Sequence, residues 1–227
     1  MDLHFLRKFL PLTSLIIFNL FGCYNPNKSY YSQFCKSVEN ICLNGKSRVE
    51  MITTKGTILI EVNSDLAPVT SSNFLDLVDK GFYIGTTFNR VIKKPFPYII
   101  QGGYKSNNFI FDRQNNFGNK LINNKNRIFR TIPLEIKLIN EKYPRYNQPV
   151  LKNDDFINIQ LTHKRGVLAM ARTKLLESSS IQFYIALKDL PELDGRYSVF
   201  GKVLKGMAVI DSLEEGDEIL DVIQINK

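Results

Sequence analysis

Tryptophan is absent from this 227-residue chain, and histidine occurs only twice, at His4 and His163. That scarcity excludes most His-rich metal centres and leaves a Ser-His-Asp constellation almost nothing to work with. There is no Gly-rich phosphate loop and no Walker motif. Glycine is sparse through the middle of the chain. No apolar run reaches the roughly 20 residues of a membrane-spanning helix. Charge of one sign is in excess, at +8 with pI about 9.3, but the lysines and arginines are scattered. A solvated basic surface accounts for them better than a binding patch, and no nucleic-acid partner is expected. Hydrophobic residues at 44% and charged residues at 23% are ordinary for a globular chain, and the length allows one sizeable core plus a leader.

The first 47 residues differ from the rest. Arg7 and Lys8 precede an apolar run from Phe9 to Phe21, which is short for a membrane span but suits a secretory signal core. It ends Leu20-Phe21-Gly22-Cys23, which resembles a bacterial lipobox, with Phe21 departing from the small residue usual before Gly22. The resemblance implies cleavage of residues 1–22 and a lipid-modified Cys23, with more than one acyl chain, as stable anchoring requires. The other reading is a plain secretory signal with an incidental cysteine. Residues 23–47 are polar and aperiodic, a tether between membrane and domain. Cys35 and Cys42 lie in it, either as a short disulfide or as two free thiols. Loss of residues 1–22 removes Asp2, Arg7 and Lys8 and leaves +7, compatible with a position near anionic lipid.

From Arg48 to the end, at 48–227, the pattern is that of one folded domain. Val49 and Met51 alternate with polar residues, Thr53-Thr54-Lys55-Gly56 reads as a turn, and Ile58, Ile60 and Val62 alternate again, predicting a hairpin. Pro68 opens a helix carrying Phe74, Leu75, Val78 and Phe82, and Gly81 suits its stop. Further strands are predicted at 166–171, 182–187, 198–203 and 221–225. A short helix at 206–213 has Met207, Ile210 and Leu213 on one face. Many short strands with two helices predict a mainly β fold, a closed antiparallel barrel.

Three stretches carry more. Tyr83 to Ile92, YIGTTFNRVI, is followed after a short insertion by Ile100-Gln101-Gly102-Gly103. His163-Lys164-Arg165-Gly166-Val167-Leu168-Ala169-Met170-Ala171 leads to Gln182-Phe183-Tyr184-Ile185. Leu193-Asp194-Gly195-Arg196-Tyr197-Ser198-Val199-Phe200-Gly201-Lys202-Val203 closes the set. In this order, over roughly residues 48–225, they resemble the cyclophilin family of peptidyl-prolyl cis-trans isomerases. The resemblance implies an eight-stranded antiparallel barrel capped by two helices, acting without cofactor or metal on proline-containing polypeptides. By the same resemblance Arg90 is the catalytic arginine and Gln101 the glutamine that orients it. Tyr98, Ile99, Tyr184 and Leu193 form the proline pocket, Ala171 and Gln182 line the groove, and Tyr197 stands where many members have His.

These residue types suit the chemistry. Amide resonance opposes rotation with a barrier of about 18–20 kcal/mol. An apolar pocket can hold the proline ring while the preceding carbonyl swings. A guanidinium can donate to the prolyl nitrogen as it regains its lone pair, an interaction that grows in the twisted state. Arginine stays charged, and its planar fork can be held by a neighbouring amide.

Several positions depart from the family pattern. Asn89 replaces the usual His, Tyr98 and Tyr184 replace the commoner Phe, and Ser180-Ile181 stands for the usual Gly-Ser. Insertions occupy 93–97, 105–130 and 137–160. Glu192 stands where the most cyclosporin-sensitive members carry Trp, which implies weak binding of cyclosporin A. The expected function is therefore a monomeric, exported, lipid-anchored prolyl isomerase on the periplasmic or cell-surface side. A lipid-anchored binding or chaperone module with vestigial catalysis is the alternative. His163, a lone histidine, reads as structural, and Gly102-Gly103 as a permissive backbone.

Overall fold

The computed structural model describes residues 43–104, 110–112, 120–122, 128–151 and 155–226. The expected leader, the expected lipid-attachment residue Cys23, and Cys35 and Cys42 lie outside the described residues.

The predicted hairpin forms as β1 (Lys46–Thr53) and β2 (Gly56–Asn63), turning through Thr54 and Lys55. Its register pairs Val49 with Ile60 and Met51 with Ile58, so the apolar members of both strands share one face and are wholly buried. β3 (Thr86–Val91) and β4 (Ile99–Tyr104) follow. β10 (Val167–Met170), β11 (Phe183–Ala186), β12 (Val199–Lys205) and β13 (Glu218–Asn226) come after the insertions. These eight close into a barrel in the order β1-β13-β3-β4-β11-β10-β12-β2, with every pairing antiparallel. Closure leaves no open edge. Each predicted strand forms within about three residues of its expected limits, the ordinary uncertainty of element ends.

Two helices cap the barrel. α1 (Pro68–Asp79) sends Phe74 into it, where the ring lies 5.2 Å from those of Tyr83 and Phe200 and meets Phe183 edge-on at 5.7 Å. It stops as expected at Gly81, whose φ is +62° and whose N–H bonds back to Val78. α2 (Met207–Ser212) buries Ile210 and is followed by buried Leu213, with Met207 packed against the core.

The insertions add structure that periodicity did not foresee. Three short strands, β5 (Ile110–Asp112), β6 (Lys120–Ile122) and β7 (Ile128–Arg130), pair in order. Among residues 134–151 and 155–160, Leu134, Ile136, Leu138, Val150 and Ile159 form a small core around the two-stranded ladder β8 (Glu135–Ile136) and β9 (Arg145–Tyr146). Arg145 holds this unit together through Glu141 and Asp155.

Glu135 also serves α1. Ala67 before the helix offers no side-chain cap, and the Glu135 carboxylate accepts the free N–H groups of Val69 (3.1 Å) and Thr70 (2.9 Å) instead. Burial pushes this carboxyl above its ordinary 4.5 despite those donors. An acid whose folded pKa is raised contributes stability below its unfolded pKa and loses it as pH rises. Glu135→Gln keeps an acceptor and removes the titration. The stability difference, variant minus wild type, is therefore expected to move in the variant's favour between pH 4 and pH 7, read as urea midpoints. A difference independent of pH would contradict it.

Candidate active site

Strand alternation sorts side chains into two sets. Ile100, Leu168, Met170, Phe183 and Ile185 face the barrel core. Ile99, Ala169, Tyr184, Ala186 and Val199 face outward, where Tyr98, Ala171, Leu193 and Tyr197 pack against them. Apolar side chains on the outside of a closed barrel need cover or a use. Here Tyr98, Ala171, Leu193 and Tyr197, themselves partly exposed, cover them across β4, β11 and β10, and together they make the apolar patch proposed as the site.

Arg90 reaches this face through an irregularity in β3. Phe88 pairs with Gly102 and is buried inside, and Arg90, two residues on, pairs with Gln101 and is exposed. Regular alternation would put both side chains on one face; the register shift at Asn89 turns Arg90 outward. Gly102 makes room for this, because a Cβ there would lie 2.8 Å from the Phe88 ring. Gly103, at φ +86°, would place one 2.8 Å from the Ile181 carbonyl. The glycine pair thus serves close packing as well as backbone freedom.

Gln101 lies opposite Tyr184 in the β4–β11 register, and its side-chain amide donates to the Gln182 Oε1 at 2.6 Å. Ala171 stands just past β10, its N–H bonded to the Gln182 carbonyl. Leu193 ends a one-turn 3₁₀ helix (Pro191–Leu193), and Tyr197 follows after a tight turn at Gly195. The Tyr197 and Tyr184 rings meet edge to face, 5.7 Å apart at 88°. Arg90, Gln101, Tyr98, Ile99, Ala171, Gln182, Tyr184, Leu193 and Tyr197, scattered over 108 positions of sequence, therefore share one outer face.

The two extra tyrosine hydroxyls are placed differently. The Tyr98 hydroxyl lies within electrostatic reach of the Glu192 carboxylate; burial pushes its pKa up, Glu192 adds to the rise and the Arg90 guanidinium opposes it. The Tyr184 hydroxyl is buried, 2.8 Å from Nε2 of His163. Burial holds it well above the ordinary tyrosine range, with Tyr197 adding to the shift.

Two contributors have no site role assigned to them in the sequence. Arg172 lies 4.8 Å over the Tyr197 ring, a cation–π contact, and is pinned by the carbonyls of Arg196 and Thr173. Asp194, inside the LDG motif, is buried and bonded to His163. Among the described residues no group of three or more His, Cys, Asp or Glu is arranged to hold a metal ion.

Comparison with known proteins identifies the family and the fold. The family described as cyclophilin type peptidyl-prolyl cis-trans isomerase/CLD matches residues 48–226. A peptidyl-prolyl cis-trans isomerase of Acinetobacter baylyi is 34% identical over 170 residues, covering 73% of this chain and 70% of that protein. Peptidyl-prolyl cis-trans isomerase A of Dickeya dadantii is 31% identical over 174 residues, 74% of this chain and 72% of its own. A putative thylakoid lumen peptidyl-prolyl cis-trans isomerase of Synechocystis is 31% identical over 189 residues, and this chain spans 46% of its length. Among solved structures, a cyclophilin type isomerase of Cryptosporidium parvum aligns with TM-score 0.54 at 23% identity, over 80% of this chain and 99% of that one. A cyclophilin of Hirschia baltica aligns with TM-score 0.52 at 23% identity, covering 79% and 74%. At such identity the structural likeness speaks to the fold.

Proposed function

Because the chain belongs to the cyclophilin-type peptidyl-prolyl cis-trans isomerases, we propose that its outer-face site isomerises X-Pro bonds in exported polypeptides and so assists their folding. The observation that carries this reading is the placement of Arg90. The β3 irregularity turns Arg90 onto the outer face that carries Gln101 and Tyr184, within electrostatic reach of Tyr98, which suits the chemistry. The apolar patch takes the proline ring, and Arg90 donates to the prolyl nitrogen as the amide twists and its resonance is lost. Gln101, opposite Arg90 in register and fixed by Gln182, lines the approach and orients the arginine. Ala171, Gln182 and Tyr197 border the groove for the flanking residues. No proton is transferred, and no cofactor or metal is called for. Line-shape or exchange NMR on a short Ala-Pro peptide tests it: catalysed cis-trans exchange is expected, and exchange at the uncatalysed rate would refute it.

The anchoring part of the proposal rests on Leu20-Phe21-Gly22-Cys23 after a basic start and short apolar run. The name of the Synechocystis relative, a lumenal protein, supports an exported setting. In this reading residues 1–22 are removed, Cys23 carries the lipid, 23–47 tether the monomer, and the domain stands on the periplasmic or cell-surface side. Mass spectrometry of the native N-terminus is expected to find acylated Cys23; an unmodified cysteine there would overturn it.

A second reading, a binding or chaperone module with vestigial catalysis, is favoured by one feature. The 134–160 unit exposes Ile139 (66%) and Ile157 (82%) on its surface. An inactive wild type on every X-Pro peptide would move the choice to it.

Cyclosporin A is expected to inhibit weakly. Glu192 is exposed, and a carboxylate cannot donate as the Trp indole does and is costly to cover with an apolar ligand. Inhibition curves beside a tryptophan-bearing cyclophilin check this, and Glu192→Trp is expected to tighten binding.

A further inference from the structure

We infer that His163 and Asp194 are positioning residues for the proline-pocket wall, holding the Tyr184 ring in place through a buried hydrogen-bonded relay. The inference rests on the isomerase reading for its functional consequence, while the relay itself stands on geometry.

One carboxylate oxygen of Asp194 accepts the backbone N–H of His163 at 2.6 Å and lies 2.8 Å from Nδ1 of the same residue. The carboxylate accepts a hydrogen bond from the Nδ1–H, and in the neutral ring Nε2 then presents a lone pair. Tyr184 lies 2.8 Å from that Nε2 and donates its hydroxyl to it. The histidine side chain is fully buried and that of Asp194 nearly so. The two rings lie parallel, 11° apart, with centroids at 6.0 Å.

The relay also joins parts of the chain that build the site. His163 precedes β10, Tyr184 lies on β11, and Asp194 sits between Leu193 and Tyr197. The His163 carbonyl accepts from Leu190 at 2.8 Å, fixing the start of the same loop. A phenol in an apolar wall is costly unless its hydroxyl is paired. The relay supplies that partner on the side away from the groove. The ring therefore presents a phenylalanine-like face to substrate, its orientation fixed by the bonded hydroxyl behind it and by the Tyr197 edge in front. Removing the acceptor leaves the hydroxyl to seek water, and the open route is toward the groove.

A merely structural histidine and a positioning one differ in whether the Tyr184 hydroxyl matters. The experiment compares wild type, His163→Leu, Tyr184→Phe and the double variant in the full folded domain. Exchange NMR on an Ala-Pro peptide gives kcat and KM, and urea unfolding gives stability. His163→Leu is expected to raise KM about tenfold with kcat little changed, since grip on the proline ring is lost alike in ground and transition states. Tyr184→Phe in that background is expected to return KM to the value of the Tyr184→Phe single variant, and to recover most of a roughly tenfold loss in the unfolding equilibrium. Additive losses, with no recovery in the double variant, would overturn the inference. So would failure of both His163 variants to fold, since a packing role explains that outcome fully. Folding of the double variant alone would support it. An inactive wild type would defeat the isomerase reading but not this one, because the stability cycle decides the relay by itself.

Discussion

Arg90→Ala is expected to lower kcat/KM for X-Pro isomerisation by about a hundredfold or more, the loss typical of removing one donor aimed at developing transition-state charge. The fold is expected to survive. Arg90 is exposed, and the inward packing at this point belongs to Phe88, which the substitution leaves alone. Circular dichroism and the urea midpoint should therefore match wild type while catalysis falls. The loss should lie mainly in kcat, because the guanidinium acts when the prolyl nitrogen regains its lone pair. Arg90→Lys keeps the charge but not the fork and should recover little. A rate unchanged in Arg90→Ala would show that catalysis, if present, does not run through this residue.

Gly195→Ala is expected to do the opposite, losing stability and activity together. Gly195 sits at φ +68°, in the left-handed region that costs an L-residue about 1–2 kcal/mol. A Cβ there would also stand 1.8 Å from the carbonyl oxygen of Val150 and 2.8 Å from its carbonyl carbon, both backbone atoms that cannot rotate away. Val150 is buried in the core of the 134–160 unit, and its N–H bonds to the Gly195 carbonyl at 3.0 Å. The extra methyl must therefore push apart the insertion and the loop carrying Leu193, Asp194 and Tyr197. Strain and overpacking together give an expected destabilisation of about 2–5 kcal/mol. Displacement of Leu193 and Tyr197 adds a fall in kcat/KM even where the variant remains folded. Differential scanning calorimetry with the exchange assay checks both; a near-neutral result would mean the insertion moves freely against this loop.

These two positions show how far local pattern reaches. Period-two alternation in Val49, Met51, Ile58, Ile60 and Val62, with a turn between, determined the first hairpin and which face it buries. Pro68 and Gly81 bounded α1, and Met207, Ile210 and Leu213 marked the buried stripe after β12. Such signals are local: a proline fixes φ, a glycine reaches positive φ, and an apolar period matches an element's geometry. The order of short motifs identified the family and, through it, the residues of the candidate site.

Other features depend on contacts between distant residues, and local pattern is blind to them. Arg90 faces outward only because the β3–β4 register shifts at Asn89, a property of the pairing rather than of either strand. Glu135 caps a helix 65 residues before it because Ala67 leaves those amides unsatisfied. The insertion at 137–160 has no assigned role in the sequence, yet its Val150 packs against Gly195 as part of the site's support. Tyr184 and Tyr98 read as polar intrusions into an apolar pocket. Tertiary packing gives the Tyr184 hydroxyl a buried partner in His163 and sets the Tyr98 hydroxyl near the Glu192 carboxylate. Buried polar groups require partners, and only the folded chain decides which residues, far apart in sequence, come close enough to serve.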